Sequence, residues 1–327
     1  MRVPVCWRDG LAVSALISAV VGGALLAHQS EKHRSAEFWS TYVSAASVAA
    51  DESTRPARRV IALSLAAEEV LLDLVGPDRL AAVTPWARQE KFSNVSAKAS
   101  AVVATVNGQS IERILHLEPD AVVVAPYTDL RAKRILRRAG VRVVELSIAR
   151  SFAQVRESVQ RLGGVLGADN TASALLEDFE ARIKATRERA AHVLARRGGS
   201  RPRLLYIGTG FESPWTAGKA TLLDEILTAV GVINVAAEQG VLREAPLSRE
   251  AVLRWSPDIL LMEGQPGERD RHLADLRADG VLSGLPAVEA GRVIVLPARL
   301  LTTASHYVAH TAEKLVAAVE KLPERPL

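Results

Sequence analysis

Residues 110–124, SIERILHLEPDAVVV, and residues 248–262, SREAVLRWSPDILLM, are two versions of one pattern. Set 138 positions apart, they match at Ser110/Ser248, Glu112/Glu250, Leu115/Leu253, Pro119/Pro257 and Asp120/Asp258, with Ile114 opposite Val252. In each, a serine precedes a short apolar helical pattern, where its hydroxyl is expected to accept a first-turn N–H. A glutamate then falls at the second helical position, where the helix dipole favours a carboxylate. Proline stops the helix, and a β-branched or aliphatic run follows as a buried strand. A helix feeding a fully apolar strand is the building step of a parallel α/β sheet. Its double occurrence predicts two such sheets.

Reading outward from the first copy, RVIALS (Arg59 to Ser64) and RLAAVTP (Arg79 to Pro85) are further strands, with the helical spacing of AAEEVLLDLVG (Ala66 to Gly76) between them. After the copy come the helix LRAKRILRRAG and the strand VRVVELS. Strand and helix therefore alternate, with a loop holding Trp86, Arg88 and Lys91 on the way, and the sheet is expected to be covered on both faces. From Phe152 to about Arg197 the strands vanish. SFAQVRESVQRLGGVLGADN reads as helix up to its glycines, and TASALLEDFEARIKATRERAAHVLARR reads as a helix roughly 40 Å long at about 1.5 Å per residue. A second α/β block starts at RPRLLYIGTG and repeats the plan through Trp215, a helix from Ala220 to Val230, the second copy, the strand RVIVLP and a closing helix. The expected fold class is α/β, with two doubly wound parallel-sheet lobes joined by a single long helix. The expected divisions are a leader and spacer in residues 1–50, a first lobe in 59–150, connecting helices in 151–200 and a second lobe in 201–327.

Composition narrows the function. The 327 residues are 48% apolar and 24% charged, enough for full cores in two domains. Formal net charge is +4, too mild and dispersed for a nucleic-acid binder. The single cysteine, Cys6, leaves no thiolate metal site, disulfide or cysteine nucleophile in the rest of the chain. Leu11 to Ala27 is an uncharged apolar run behind Arg2 and Arg8, which reads as an export signal. Its 17 residues also approach the lower limit for a membrane span, so a retained anchor stays open. Val48-Ala49-Ala50 satisfies the small-x-small cleavage rule but lies far from the run.

The segments RVIALSLAAEEVLLDLVGPDRLAAVT, SIERILHLEPDAVVV, TAGKATLLDEILTAVGVINVA and SREAVLRWSPDILLM together resemble, in the right order, the periplasmic binding proteins that serve importers of ferric siderophores, haem and vitamin B12. The resemblance implies two lobes on one long helix and a metal chelate held between them. It also implies one exposed glutamate per lobe, Glu112 and Glu250, docking on the permease dimer of a transporter driven by ATPase subunits. That role explains why the device occurs twice.

Ligands of open α/β lobes sit beyond the carboxyl ends of strands. The expected cleft is lined from Ser64 and Leu65, Trp86 to Lys91, Tyr127 and Thr128, Phe211 to Trp215, and Arg299 to Tyr307. Aromatics are only 4% of the chain, so Trp86, Tyr127, Phe211, Trp215 and Tyr307 on these loops form a concentration suited to a large flat chelate. Arg88 and Arg299 are candidates to pair with carboxylate or hydroxamate oxygens. His306 and His310 have i, i+4 spacing, and an axial haem ligand from Tyr127, Tyr307 or His306 is a further alternative. Residues 103–110, VATVNGQS, lack the tyrosine that haem binders of the family place just ahead of the first device, which puts haem below ferric siderophore and corrinoid.

No enzyme reading competes well. In GTGFESPWTAGK, Gly210 and Gly218 are eight positions apart and match neither a dinucleotide fingerprint nor a phosphate loop. The expected protein is a non-enzymatic monomer without a cofactor of its own, exported to the periplasm, carrying an iron-siderophore or corrinoid (vitamin B12) ligand. A haem carrier and a membrane-anchored ligand sensor are the alternatives.

Overall fold

A computed structural model describes residues 55–208, 214–265 and 267–323. The leader run Leu11 to Ala27, Cys6 and Phe211 lie outside the described residues.

The first lobe alternates strand and helix as the apolar runs require. Its elements are β1 (Val60–Ala62), α1 (Leu65–Val75), β2 (Leu80–Val83), α2 (Ser96–Ser100), β3 (Ala104–Thr105), α3 (Ile111–His116), β4 (Ala121–Val124), α4 (Leu130–Arg138) and β5 (Arg142–Glu145). The five strands form one all-parallel sheet in the order β3-β2-β1-β4-β5. With β1 in the middle and successive strands added on both sides, the winding reverses there. That is the doubly wound plan, and it opens a crevice at the strand ends. Strands β1, β2 and β4 are buried throughout, which is why they read as continuous hydrophobic runs.

Two helices follow, α5 (Phe152–Leu166) and α6 (Asp169–Arg196). The sequence pattern expected α5 to end at its glycines, but it runs through Gly163 and Gly164 and stops at Gly167, whose φ of 63° is the left-handed cap that glycine favours. Gly163 is needed for a different reason. A Cβ there would meet Ala172 Cβ at 2.6 Å, so its absence lets α6 pack closely on α5. Val159, Leu162, Val165 and Leu166 join the core of the first lobe, while Phe152, Val155, Phe179, Ile183, Ala190 and Val193 join that of the second. The 28-residue α6 therefore carries the chain from one lobe to the other over about 42 Å.

The second lobe comprises β6 (Arg203–Ile207), β7 (Trp215–Ala217), α7 (Leu222–Ala229), β8 (Ile233–Asn234), α8 (Val235–Glu238), β9 (Glu244–Pro246), α9 (Arg249–Trp255), β10 (Ile259–Glu263), α10 (Arg269–Ala278), α11 (Pro286–Glu289), β11 (Val293–Leu296), α12 (Ala298–Leu301) and α13 (Val308–Lys321). Its main sheet is parallel, ordered β11-β10-β6-β8. Strands β7 and β9 form a separate antiparallel ribbon that the sequence pattern did not disclose. Among the described residues, no helix is long and apolar enough to cross a membrane.

The two copies of the opening pattern occupy α3–β4 and α9–β10, one per lobe. Much of their likeness has a structural cause. The residue before each proline takes a left-handed turn, Glu118 at φ 45° and Ser256 at φ 44°. The following aspartate then clips the neighbouring strand: Asp120 accepts from the N–H groups of Arg58 and Arg59 at 2.7 and 3.0 Å, and Asp258 from that of Arg203 at 2.9 Å. Arg59 and Arg203 return the contact by donating to the carbonyls of Leu117 and Ser256. Only one of the two serines caps its helix as expected. Ser248 Oγ accepts from Ala251 N–H at 3.2 Å, whereas Ser110 Oγ donates to Asn107 Oδ1 at 2.8 Å and makes no cap.

Candidate functional site

Between the lobes lies an apolar cavity of about 190 Å³. It opens at the carboxyl ends of the first-lobe strands, with Ser64 and Leu65 after β1, Tyr127 after β4 and Leu146 to Arg150 after β5. Tyr206, Trp215, Leu222 and the segment Leu301 to Ser305 close it from the second lobe. Trp215 stands edge-on to Tyr206, with ring centroids 5.1 Å apart. Gly208 makes that possible, since a Cβ there would lie 2.3 Å from the indole. Tyr206 itself is fully buried and donates to Glu263, whose carboxyl is pushed up by burial. Tyr127 is 39% exposed at the rim, and burial of its phenol end together with the Glu68 charge pushes its pKa up to about 12.

Of the residues expected in the cleft, Ser64, Leu65, Tyr127, Trp215 and Leu301 to Ser305 line its walls, whereas Trp86, Arg88, Arg299, His306 and Tyr307 do not. Trp86 packs edge-on against Phe92, centroids 5.8 Å apart, and Phe92 is the ring that meets the cavity. Arg88 turns back to donate to the Val102 carbonyl, because the short helical turn at residues 85–88 ends over that strand-edge loop. Arg299 reaches the Glu90 carbonyl at 3.4 Å, and with Arg88 it borders a shallow polar depression outside the cleft. His306 is turned towards α1, its Nε2 2.8 Å from Asp73 Oδ2. Tyr307 stacks between His306 and His310, centroids 4.6 and 5.2 Å away, so the imidazoles flank a ring and do not converge on a common point. Burial and the Asp73 carboxylate push the Tyr307 phenol up. Among the described residues, no group of three or more His, Cys, Asp or Glu side chains could hold a metal ion.

Helix α1 carries what the sequence pattern concealed. Glu68 and Glu69 are both fully buried. Glu68 accepts from the backbone N–H and the hydroxyl of Thr84, yet burial pushes its pKa up to about 7, with the Glu69 charge adding to the rise. Glu69, also raised by burial, ties the lobes together. Its carboxyl accepts from Asn94 in the first lobe and from the hydroxyls of Thr303 and Ser305 in the second, each of the latter at 2.6 Å. One turn on, Asp73 takes His306 and Lys98. Burial pushes its carboxyl up, but these two partners hold it below the usual range. Asn94 adds a further cross-lobe bond, to the Arg299 carbonyl at 2.9 Å. Two adjacent glutamates in an apolar helix were the only sign of this in the sequence, because their partners lie far along the chain.

Glu112 and Glu250 sit at the second position of α3 and α9, both exposed. Glu112 has no hydrogen-bond or ion-pair partner among the described residues. Glu250 is held below the usual carboxylate range by its own backbone N–H and the Ser248 hydroxyl. The matched prolines and aspartates have work in the fold; the matched glutamates point to solvent.

Comparison with known proteins gives a family. The model described as periplasmic binding protein matches residues 60–300. An uncharacterised ABC transporter substrate-binding lipoprotein of Bacillus subtilis is 25% identical over 157 residues, 46% of this chain and 48% of that protein. A vitamin B12-binding protein of Salmonella choleraesuis is 26% identical over 219 residues, 65% of this chain and 74% of that protein. The chain thus spans about half the length of the first and three quarters of the second. In fold it is similar to the apo form of a periplasmic haem-binding protein from Roseiflexus, with a TM-score of 0.67 at 24% identity over 80% of this chain and 98% of that one. The chain belongs to the periplasmic binding protein family.

Proposed function

We propose that this periplasmic binding protein is the substrate-binding component of an ABC importer, that it captures a corrinoid or an iron-siderophore chelate between its lobes, and that it delivers the chelate to a permease dimer served by ATPase subunits. The observation that carries the reading is an apolar, aromatic-walled cleft between two lobes that each expose a glutamate at the same position of the same motif. The vitamin B12-binding relative supports a corrinoid, and the haem-binding structures of similar fold keep haem as the second choice. Division of labour by segment is part of the proposal: residues 59–150 and 201–327 grip the ligand, 151–200 connect them, and residues 1–50 direct the chain to the periplasm or hold it at the membrane. No bond is made or broken in the captured ligand, and the protein acts as a monomer.

At about 190 Å³ the cavity is below the several hundred Å³ usual for a bound organic ligand. A porphyrin or corrin therefore enters only with the lobes further apart. The ties of Glu69 to Thr303 and Ser305 and of Asp73 to His306 all join α1 to residues 303–306, so parting is expected to pivot there, as a hinge confined to a few residues. Titration of the purified protein with cyanocobalamin, haemin, a ferric hydroxamate and a ferric catecholate, read by tryptophan fluorescence, tests the reading. Saturable quenching by at least one is expected; no response to any of the four would refute it.

A further inference from the structure

Among the described residues that line the cavity, Arg150 is the one cation. Glu69, one of the two acids there, has its oxygens taken up by Asn94, Thr303 and Ser305. The other is Glu244, whose Oε2 lies 3.6 Å from Arg150 Nη1, beyond hydrogen-bonding distance. Both side chains are about one-third exposed, at 33% and 30%. Arg150 makes no side-chain hydrogen bond among the described residues.

Its backbone, by contrast, is fixed. Ser151 caps α5 by accepting from Gln154 N–H, Gln154 Oε1 accepts from Arg150 N–H at 2.7 Å, and Glu225 takes the N–H of Phe152. Glu244 is held as firmly from the other side. It pairs with Ala217 in the β7–β9 ribbon, and the preceding Arg243 adopts a φ of 65° that a non-glycine residue reaches only at a cost. Gly218 permits the approach, since a Cβ there would sit 2.1 Å from the Val241 carbonyl oxygen. A strained ribbon that departs from the parallel plan thus presents Trp215 and Glu244 to the cleft, opposite a guanidinium fork with unused donors.

We propose that Arg150 is the anion receptor of the cleft: it takes an acidic arm of the ligand, a carboxylate or a phosphate, in place of Glu244. The inference rests on the transport reading and specifies its ligand class. A guanidinium pairs with either oxyanion through two parallel N–H donors, and apolar walls strengthen the contact. Glu244 holds the guanidinium in position loosely enough to be displaced, and it repels anions that do not engage Arg150.

The test compares paired probes on wild-type, Arg150→Gln and Glu244→Gln proteins by fluorescence titration. Haemin is set against its dimethyl ester, which lacks the carboxylates, and cyanocobalamin against dicyanocobinamide, which lacks the phosphodiester. Arg150→Gln is expected to weaken the acidic member of the pair that binds by at least about tenfold, with the neutral member unchanged within about twofold. Glu244→Gln, with the competing charge gone, is expected to tighten the acidic member several-fold. The pair that responds tells carboxylate from phosphate. Wild-type protein that holds both members of a pair equally, equal losses for both in Arg150→Gln, or binding of a ferric hydroxamate alone would overturn the assignment and leave the transport reading standing. No binding of these probes, of a ferric hydroxamate or of a ferric catecholate would refute both.

Discussion

Replacing Glu68 with Gln is expected to make the protein more stable at pH 8 and to change its stability much less, by under about 1 kcal/mol, at pH 5. Glu68 is fully buried against Thr84, and burial raises its pKa from 4.5 to about 7. Because the folded value lies above the unfolded one, the folded state keeps the proton through the interval where the unfolded chain releases it. The stabilising contribution is therefore complete below pH 4.5 and is lost as pH rises through 7. Integrating that difference from pH 5 to pH 8 gives a loss of roughly 2 to 3 kcal/mol from this one group. A glutamine has the same shape, keeps an acceptor for the Thr84 N–H and does not titrate, so the variant lacks this loss. Glu69 is shifted in the same direction, but its largest cause, its own burial, is present in both proteins and cancels in the difference. Urea unfolding followed by circular dichroism at pH 5 and pH 8 measures the four stabilities. Slopes against pH that agree within about 0.5 kcal/mol between wild type and Glu68→Gln would refute the assignment of this proton to Glu68.

Trp215→Ala is expected to weaken binding of the responding chelate by about 1 to 3 kcal/mol, whereas Trp86→Ala, whose ring lies behind Phe92, should cost less than about 1 kcal/mol; the reverse order in a fluorescence or calorimetric titration would contradict the cleft geometry. Glu69→Ala leaves buried donors of Asn94, Thr303 and Ser305 without an acceptor and should destabilise by about 3 to 5 kcal/mol in thermal or chemical unfolding, so a change under 1 kcal/mol would show that the cross-lobe tie is not formed. Asp258→Ala removes the acceptor for Arg203 N–H at the head of β6 and should cost about 1 to 2 kcal/mol, measured in the same way, with no effect on ligand affinity.

Much of the α/β plan could be read from the sequence because buried parallel strands are continuous apolar runs and the helices between them stop at glycine or proline. The two copies of the opening pattern gave both lobes, since Pro119 and Pro257 mark the same corner in each. What escaped depended on contacts distant in the chain. The glycines in α5 looked like a stop, yet Gly163 is where α6 approaches and only Gly167 has the left-handed backbone of a cap. The β7–β9 ribbon is three residues on each side and carries proline and glutamate in place of a β-branched run. In the cleft, Tyr127 and Trp215 follow from the rule that loops after strands face the crevice. That rule also nominated Trp86, Arg88, Arg299, His306 and Tyr307, whose side chains are claimed by Phe92, Val102, Glu90 and Asp73 before they can reach it. Arg150, Glu244 and the buried pair Glu68 and Glu69 had no local signal that set them apart from surface charges.

The central claim is that the two halves of the chain hold cargo between them and present one carboxylate each to a two-fold membrane partner. Uptake of the chelate by cells carrying Glu112→Ala with Glu250→Ala, measured beside the dissociation constant of the same purified variant, tests it most directly. Uptake abolished with affinity unchanged within about twofold is the expected outcome, because neither side chain borders the cavity. Normal uptake by the double variant would contradict the account, as would a lost affinity that alone explains a failed uptake.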